Sequence, residues 1–219
     1  MYLSICGFAV LGLDIKHESS YSWRMKNQSA EQLKEDRIFT ARIRNADFTF
    51  HTLWGMFSPK GIDEGTYLLH HSMHVEPTDT ILDLGCGYGA LGIPLAKDVS
   101  EGSVDMVDAN FKAVELANKN IAVAGLSNAK AFLSYGFSEI PEDKKYSVIV
   151  SNLPANVGRE MLFIMLSDAR EHLVEGGAIY VVTIAGLRQF IKSNFEKVFG
   201  NYEKVSQERG YTVARAVKN

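Results

Sequence analysis

Two hydrophobic periods alternate along the chain from Thr80 to its end. Short apolar runs such as TILDLG and YSVIVSN indicate buried strands, whereas the segment 111–124 places its apolar residues at helical spacing. Asn110 can cap that helix at its start, and Gly125 can end it. Strands that alternate with helices favour a mostly parallel sheet covered on both faces.

The alternation of predicted strands and helices continues to the C-terminus. Helices are predicted over 90–97, 159–173 and 186–199, with Pro94 expected to kink the first of them. The runs SVDMVDA, AKAFLS and AIYVVTI are further predicted strands. YEKVSQ and YTVARAV form a predicted hairpin. The fold class is therefore α/β: a doubly wound, mostly parallel, seven-stranded sheet with a C-terminal antiparallel hairpin.

Residues 1–60 have a different pattern from the rest. A polar segment that favours a helix precedes ADFTFHT, in which Phe48, Phe50 and Thr52 alternate with polar residues as in a half-buried strand. A loop and a short helix, GTYLLHHSMHV, follow. We expect 1–60 to be an N-terminal extension or cap packed on a main domain that spans 61–219.

Composition restricts the class of protein. The 219 residues are 46% hydrophobic with a net charge of −3, which is typical of a globular domain and argues against nucleic-acid binding through bulk charge. Residues 186–219 nevertheless hold seven Lys or Arg against three Glu. Cys6 and Cys86 form no CxxC pair, and the apolar N-terminal run is short for a membrane span. We expect a cytoplasmic protein without a membrane segment.

The stretch DLGCGYGALG follows the first predicted strand of the main domain. Its glycines Gly85, Gly87 and Gly89 let the chain turn sharply, and the next helix directs its N-terminal N–H groups at the same place. The second strand ends at Asp108, 19 residues after Gly89, where a carboxylate can bind ribose hydroxyls. Asp83 would oppose a pyrophosphate and favour a ligand with a cationic end.

Three motifs carry a specific resemblance. DLGCGYGALG, VDAN and SNLP, in this order and spacing, resemble the class I S-adenosylmethionine-dependent methyltransferases. The chain is similar in particular to the methyltransferase small family, which includes ribosomal-RNA guanine-N2 methyltransferases. GMFSPKGIDEGTYLL resembles the lead-in segment of that family, and GGAIYVVT and YTVARAVK resemble its last strands. The resemblance covers about residues 45–219 and implies a Rossmann-like domain.

The resemblance also implies S-adenosylmethionine as the cofactor. It places the glycine loop around the methionine end, Asp108 at the ribose, and Ala109 and Asn110 beside the adenine. We expect Cys86 to fill space in the loop, because no base partner for a nucleophile can be identified. The residues expected at the cofactor are Asp83, Gly85, Cys86, Gly87, Gly89, Asp108, Ala109, Asn110 and Asn152.

The fourth strand of the domain ends in Asn152-Leu153-Pro154-Ala155, where the family has Asn-Pro-Pro-aromatic. The side-chain carbonyl of Asn152 and the backbone carbonyl of Leu153 can accept the two N–H groups of an exocyclic amine. Pro154 restricts Leu153 to extended geometry. The resemblance therefore implies that Asn152, Leu153 and Pro154 are catalytic. Ala155 cannot stack on a base.

The expected activity is methyl transfer to an exocyclic amine of guanine in ribosomal RNA, by a monomer or homodimer. Phe57 or Tyr135 could replace the missing ring. Ala155 and the acidic charge also fit a small-molecule or protein amine as substrate, or a cofactor-binding pseudoenzyme, while Asp83 argues against an NAD-dependent oxidoreductase. His70 and His74 stand at helical spacing, but no Glu or Cys accompanies them. We therefore expect no metal.

Overall fold

The computed structural model describes residues 29–153 and 157–219. Contacts divide the chain into two compact units, Met1–Glu35 and Asp36–Asn219. In the first unit, helix α1 spans Ala30–Lys34. Its start is a capping box, in which the backbone N–H of Gln32 donates to the Ser29 hydroxyl and the N–H of Ser29 donates to the Gln32 side chain.

The second unit contains a seven-stranded sheet, as the sequence predicts. Its strands lie in the order β5-β4-β3-β6-β7-β9-β8. The first five positions are parallel, and β9 is antiparallel to both β7 and β8. The strands span Thr80–Leu84 (β3), Ser103–Asp108 (β4), Ala129–Leu133 (β5), Tyr146–Asn152 (β6), Leu173–Ile184 (β7), Glu203–Glu208 (β8) and Tyr211–Val217 (β9).

Helices cover both faces of this sheet, so the doubly wound architecture is confirmed. The helices are α2 (Glu64–Ser72), α3 (Gly92–Asp98), α4 (Phe111–Val123), α5 (Arg159–His172) and α6 (Arg188–Phe199), with a 3₁₀ turn at Ala185–Leu187. Side chains of α2, α3 and α4 share one hydrophobic core, and those of α5 and α6 share a second one. Asn110 caps α4 by accepting from the N–H of Lys112. No helix in the described part of the chain is long and apolar enough to cross a membrane.

A separate hairpin joins β1 (Arg37–Ile43) to β2 (Ala46–Thr52). The alternation predicted for β2 is correct, since Phe48 and Phe50 are buried in the core of α3 and α4. The sequence reading missed β1, which is half exposed and is held as a strand by its pairing with β2. Buried Asn120 connects the hairpin to α4, because its side chain bonds both the N–H and the carbonyl of His51.

The expectation for Pro94 is wrong in its placement. Helix α3 begins at Gly92, so Pro94 lies in the first turn, where N–H groups have no partner within the helix. A residue with an N–H at position 94 could have bonded the carbonyl of Ala90. That carbonyl instead accepts from Nε2 of buried His70 at 3.0 Å. Burial lowers the pKa of His70 to about 4, so the imidazole is neutral.

Candidate active site

A cavity of about 610 Å³ opens at the carboxyl ends of β3, β4 and β6. This edge is where an open α/β sheet binds its ligands. The predicted site residues that line the cavity are Asp83, Gly85, Cys86, Gly87, Asp108, Ala109, Asn110, Asn152 and Leu153. Gly89 is not among the lining residues, and Pro154 lies outside the described residues.

The glycine loop presents backbone to the cavity. The N–H groups of Gly85 and Cys86 both donate to the carbonyl of Val107, at 2.8 and 2.9 Å, which ties the loop to β4. Gly87 has φ 56°, and a Cβ there would meet no protein atom within 4 Å. Gly89 has a different role, because a Cβ on it would lie 2.6 Å from Cδ1 of Ile93. Gly87 therefore leaves space for a ligand, whereas Gly89 lets the loop pack on α3.

Asp108 is held by two backbone donors at the end of β4. Its Oδ2 accepts from the N–H of Gly87 at 2.9 Å, and its Oδ1 accepts from the N–H of Asn110 at 2.8 Å. Each carboxylate oxygen has a second lone pair that can accept from a ligand hydroxyl. The carboxylate thus fixes the glycine loop and presents acceptors to the cavity.

Asp83 is fully buried and only half satisfied. Its Oδ2 accepts from the N–H of Gly92 at 2.8 Å, while its Oδ1 has no partner in the part of the chain that the structure describes. Burial raises the pKa of Asp83 to about 7, and the charge of Asp108 adds to the rise. A cationic group in the cavity would supply the missing partner.

Cys86 behaves as a buried, unreactive thiol. Burial raises its pKa well above the usual range, and the charges of Asp83 and Asp108 act in the same direction. The neighbouring Tyr88 ring lies beneath the loop, in edge contacts with Phe39 and Phe50. These two side chains fill space around the loop.

Asn152 has one defined orientation at the cavity wall. Its Nδ2 donates to Oδ2 of Asp63 and to Oγ1 of Thr66, each at 3.0 Å. A carboxylate can only accept, so the amide nitrogen must face Asp63. Over residues 29–153 and 157–219, no donor reaches the carbonyl oxygen of Asn152. This oxygen is therefore available to accept from a ligand.

The end of β6 stays attached to the sheet beyond Asn152. The N–H of Leu153 donates to the carbonyl of Val182 at 3.0 Å, and the Leu153 side chain is buried. The predicted roles of Pro154 and Ala155 fall outside the described residues.

Two exposed aromatic side chains border the cavity. Phe57 is 63% exposed and belongs to the loop that leads to α2. Tyr135 is 66% exposed and follows β5, on the side of Asp108. Both are thus placed where a ring of the ligand could stack.

The sequence reading missed three polar residues of this site. Asp63 caps α2 by accepting from the N–H of Thr66, and Tyr211 on β9 donates its hydroxyl to Oδ1 of Asp63 at 2.9 Å. An Asp before an apolar run, followed by an acidic residue in the first turn, is a helix-start signal, so the cap could have been found. Its contact with Asn152 had no local signal. Within the described residues, no cluster of His, Cys, Asp and Glu could hold a metal ion.

The sequence matches a protein-family model over most of its length. The model described as "Methyltransferase small domain" matches residues 47–215. The chain belongs to the methyltransferase small domain family. The resemblance expected over about 45–219 is thereby confirmed, as is the class of enzyme, a methyltransferase.

Two relatives of this methyltransferase small domain are similar to it in sequence. It is 35% identical to the uncharacterized protein YbxB of Bacillus subtilis, over 83% of this chain and 92% of that protein. It is 32% identical to ribosomal RNA small subunit methyltransferase C of Hamiltonella defensa, over 84% of this chain and 56% of the relative. The chain spans about half the length of the ribosomal-RNA methyltransferases that it matches.

A solved structure shares the fold of this methyltransferase domain. The 16S rRNA N2 guanine methyltransferase RsmC of T. thermophilus, in complex with AdoMet and guanosine, superposes with a TM-score of 0.77 at 29% identity. The match covers 84% of this chain and 51% of that one. The predicted Rossmann-like methyltransferase fold is confirmed.

Proposed function

We propose that this chain transfers a methyl group from S-adenosylmethionine to the exocyclic N2 amine of a guanine in ribosomal RNA. The observation that carries the proposal is the fixed carbonyl oxygen of Asn152, which no donor among residues 29–153 and 157–219 reaches, at the wall of a cavity of about 610 Å³. The names of two relatives support the substrate: one is a ribosomal RNA small subunit methyltransferase, and the other was solved with AdoMet and guanosine.

The residues present fit the cofactor. A cavity of this volume lies in the range that holds nucleotide-sized ligands. The Oδ1 of Asp83, which has no partner within the described part of the chain, suits the cationic amino-acid end, and the carboxylate of Asp108 suits the ribose hydroxyls. Ala109 and Asn110 would lie beside the adenine. When bound, the cofactor supplies an electrophilic methyl group on a sulfonium.

Asn152 and Leu153 would orient the accepting amine. The Asn152 carbonyl accepts one amine N–H and the Leu153 carbonyl accepts the other, so the nitrogen lone pair is directed at the methyl group. The cofactor would supply the methyl group, and the two carbonyls would hold the amine in line with it while one amine proton leaves to solvent. The contribution of the protein is mainly positioning.

Binding is tested by thermal shift with S-adenosylhomocysteine, NAD and ATP. A ligand of the folded state at about 100 times its Kd adds roughly 2.7 kcal/mol, so S-adenosylhomocysteine alone should raise Tm. Stabilisation by NAD instead would contradict the cofactor assignment.

Activity is tested by transfer of labelled methyl from S-adenosylmethionine to ribosomal RNA, followed by digestion and mass spectrometry for N2-methylguanosine. Asn152→Ala is the matched loss-of-function control. Label in a small or protein amine would move the substrate assignment to the rival class. Cofactor binding without transfer to any pool would indicate a pseudoenzyme.

The proposal has a structural part as well. Residues 1–60 would form an N-terminal extension or cap, or a substrate-side lip, on the same domain as 61–219, and the cytoplasmic enzyme would act as a monomer or homodimer. Size-exclusion chromatography with light scattering tests the second statement, since a larger assembly would refute it.

A further inference from the structure

A chain of hydrogen bonds connects three distant elements behind Asn152. Tyr211 at the start of β9 donates its hydroxyl to Oδ1 of Asp63, at 2.9 Å. Asp63 precedes α2, and its Oδ2 accepts from Nδ2 of Asn152 at 3.0 Å. Thr66 accepts from the same nitrogen at 3.0 Å. Both hydrogens of the Asn152 amide therefore have an acceptor.

Gly65 makes this arrangement possible. A Cβ at position 65 would lie 2.7 Å from Cδ1 of Tyr211 and 2.9 Å from Oδ2 of Asp63. Real Cβ atoms do not approach other atoms so closely. The ring of Tyr211 can thus lie against the first turn of α2 and reach Asp63 only because residue 65 has no side chain.

The charge of Asp63 selects one of the two amide orientations of Asn152. In the observed orientation no donor of the described residues reaches the carbonyl oxygen, whereas the flipped orientation would place that oxygen against the carboxylate. The flipped amide would also turn a donor toward a substrate amine, which is itself a donor. Tyr211 remains a hydroxyl donor at neutral pH, since burial and the Asp63 bond raise its pKa to about 12.

We infer that Asp63, supported by Tyr211 and Thr66, is a positioning residue that keeps the Asn152 carbonyl directed at the accepting amine. The inference rests on the proposed function for the identity of the amine. Asp63 acts through Asn152 and does not touch the reacting nitrogen. The alternative is direct contact with the substrate, because Asp63 also lines the cavity.

The first test uses the free protein and does not need activity. The side-chain ¹⁵NH₂ signals of Asn152 are assigned by NMR from their loss in Asn152→Ala. In the native chain they should be protected from solvent exchange, and in Asp63→Ala they should lose protection and shift toward the position of a free amide, because Thr66 is then the one acceptor left. Glu64→Gln is the matched control, since the exposed Glu64 contacts Arg209 and not Asn152. An unchanged Asn152 signal in Asp63→Ala would overturn the inference.

The second test measures kinetics. A misplacement of about 1 Å can cost roughly 100-fold in rate, so Asp63→Ala should lower kcat by about that factor with little change in the KM for the cofactor. Tyr211→Phe removes only the hydroxyl and should lower kcat by about 10-fold, the effect of one hydrogen bond to a charged group. Glu64→Gln should retain the native kcat.

A double-mutant cycle separates positioning from direct contact. If Asp63 acts through Asn152, adding Asp63→Ala to Asn152→Ala should cause no further loss of kcat. Multiplicative losses would show that Asp63 acts on its own, and the inference would fail.

The outcomes distinguish the inference from the proposed function. A native enzyme that methylates no RNA defeats the proposed function, and the NMR comparison still decides the inference. If the native enzyme is active and the Asn152 NMR signal is unchanged in Asp63→Ala, the inference fails and the proposed function stands. If Asp63→Ala fails to fold for want of its helix cap, Tyr211→Phe keeps the cap and the ring, and its NMR and kcat comparisons decide instead.

Discussion

Replacement of Asp83 by Asn should change how the stability of the free protein depends on pH. Asp83 is fully buried; one of its oxygens accepts from an N–H, and the other has no partner over residues 29–153 and 157–219. Its pKa is raised from 3.8 to about 7 in the folded protein. Between these values the folded state binds more protons than the unfolded state, so stability falls as pH rises from about 4 to 7 and is then constant.

The magnitude follows from that shift. A rise of roughly 3 pKa units at about 1.4 kcal/mol each means that ionised Asp83 costs up to ~4 kcal/mol of unfolding free energy at pH 8. In Asp83→Asn the side-chain oxygen can still accept from Gly92, but a buried NH₂ without an acceptor costs about 1–3 kcal/mol at every pH. The variant should therefore be less stable than the native chain at pH 4 and more stable at pH 8.

Urea denaturation at intervals between pH 4 and 8 measures this crossover. The difference in unfolding free energy, variant minus native, should rise by up to about 4 kcal/mol across the range. Asp47→Asn, at an exposed carboxylate, is the control and should show no such rise. If the unfolding free energies of the native chain and Asp83→Asn change in parallel with pH, burial does not raise the pKa of Asp83 and the reasoning is refuted.

The same residue should couple pH to ligand binding. A cationic group beside Oδ1 favours the carboxylate, so binding of S-adenosylhomocysteine at pH 6 should release a proton into solution. Calorimetry in buffers of different ionisation enthalpy counts this proton. Asp83→Asn should release none and should bind about 10- to 150-fold more weakly, which corresponds to roughly 1.5–3 kcal/mol. Native-like affinity in Asp83→Asn would place the cationic end elsewhere.

Three other substitutions test two residues of the site and one contact of the fold. Asp108→Ala should weaken S-adenosylhomocysteine binding by about 10- to 150-fold in calorimetry, and unchanged affinity would exclude a ribose contact. Phe57→Ala should raise the KM for RNA by about 5- to 150-fold, the value of one base stack, without changing cofactor affinity; an unchanged KM would remove Phe57 from the RNA site. Asn120→Ala, which loses three bonds to the backbone of His51 and Tyr88, should lower the unfolding free energy by about 3 kcal/mol in urea; a loss below about 1 kcal/mol would contradict it.

Elements whose burial follows from their own sequence could be predicted well. Strand β6 has the predicted bounds, Tyr146–Asn152, because its central apolar run, Val148–Val150, suits a strand covered on both faces. Helix α4 begins after the predicted cap, Asn110. Strand β1 could not be predicted in this way. Its residues alternate between exposed and half-buried positions, so pairing with β2 is what holds them extended.

The two halves of the site differ in the same way. Asp83 and Asp108 lie near the carboxyl ends of neighbouring parallel strands, and the topology alone brings their carboxylates to one edge of the sheet. Tyr211 is separated from Asp63 by 148 residues. Their contact requires β9 to pair with β7 and Gly65 to lack a Cβ, and both conditions belong to the tertiary structure. No local period or spacing could have indicated it.

The departure of the chain from the Asn-Pro-Pro pattern has a physical counterpart in these contacts. A proline at position 153 would stiffen the backbone but could not donate a hydrogen bond. Leu153 does donate, to the carbonyl of Val182 at 3.0 Å, and so extends the β6 and β7 pairing one residue past Asn152. The sheet thus fixes the backbone after Asn152. Asp63 and Thr66 fix the side chain of Asn152. Hydrogen bonds from the sheet and from α2 can therefore hold the acceptor in place without the first proline.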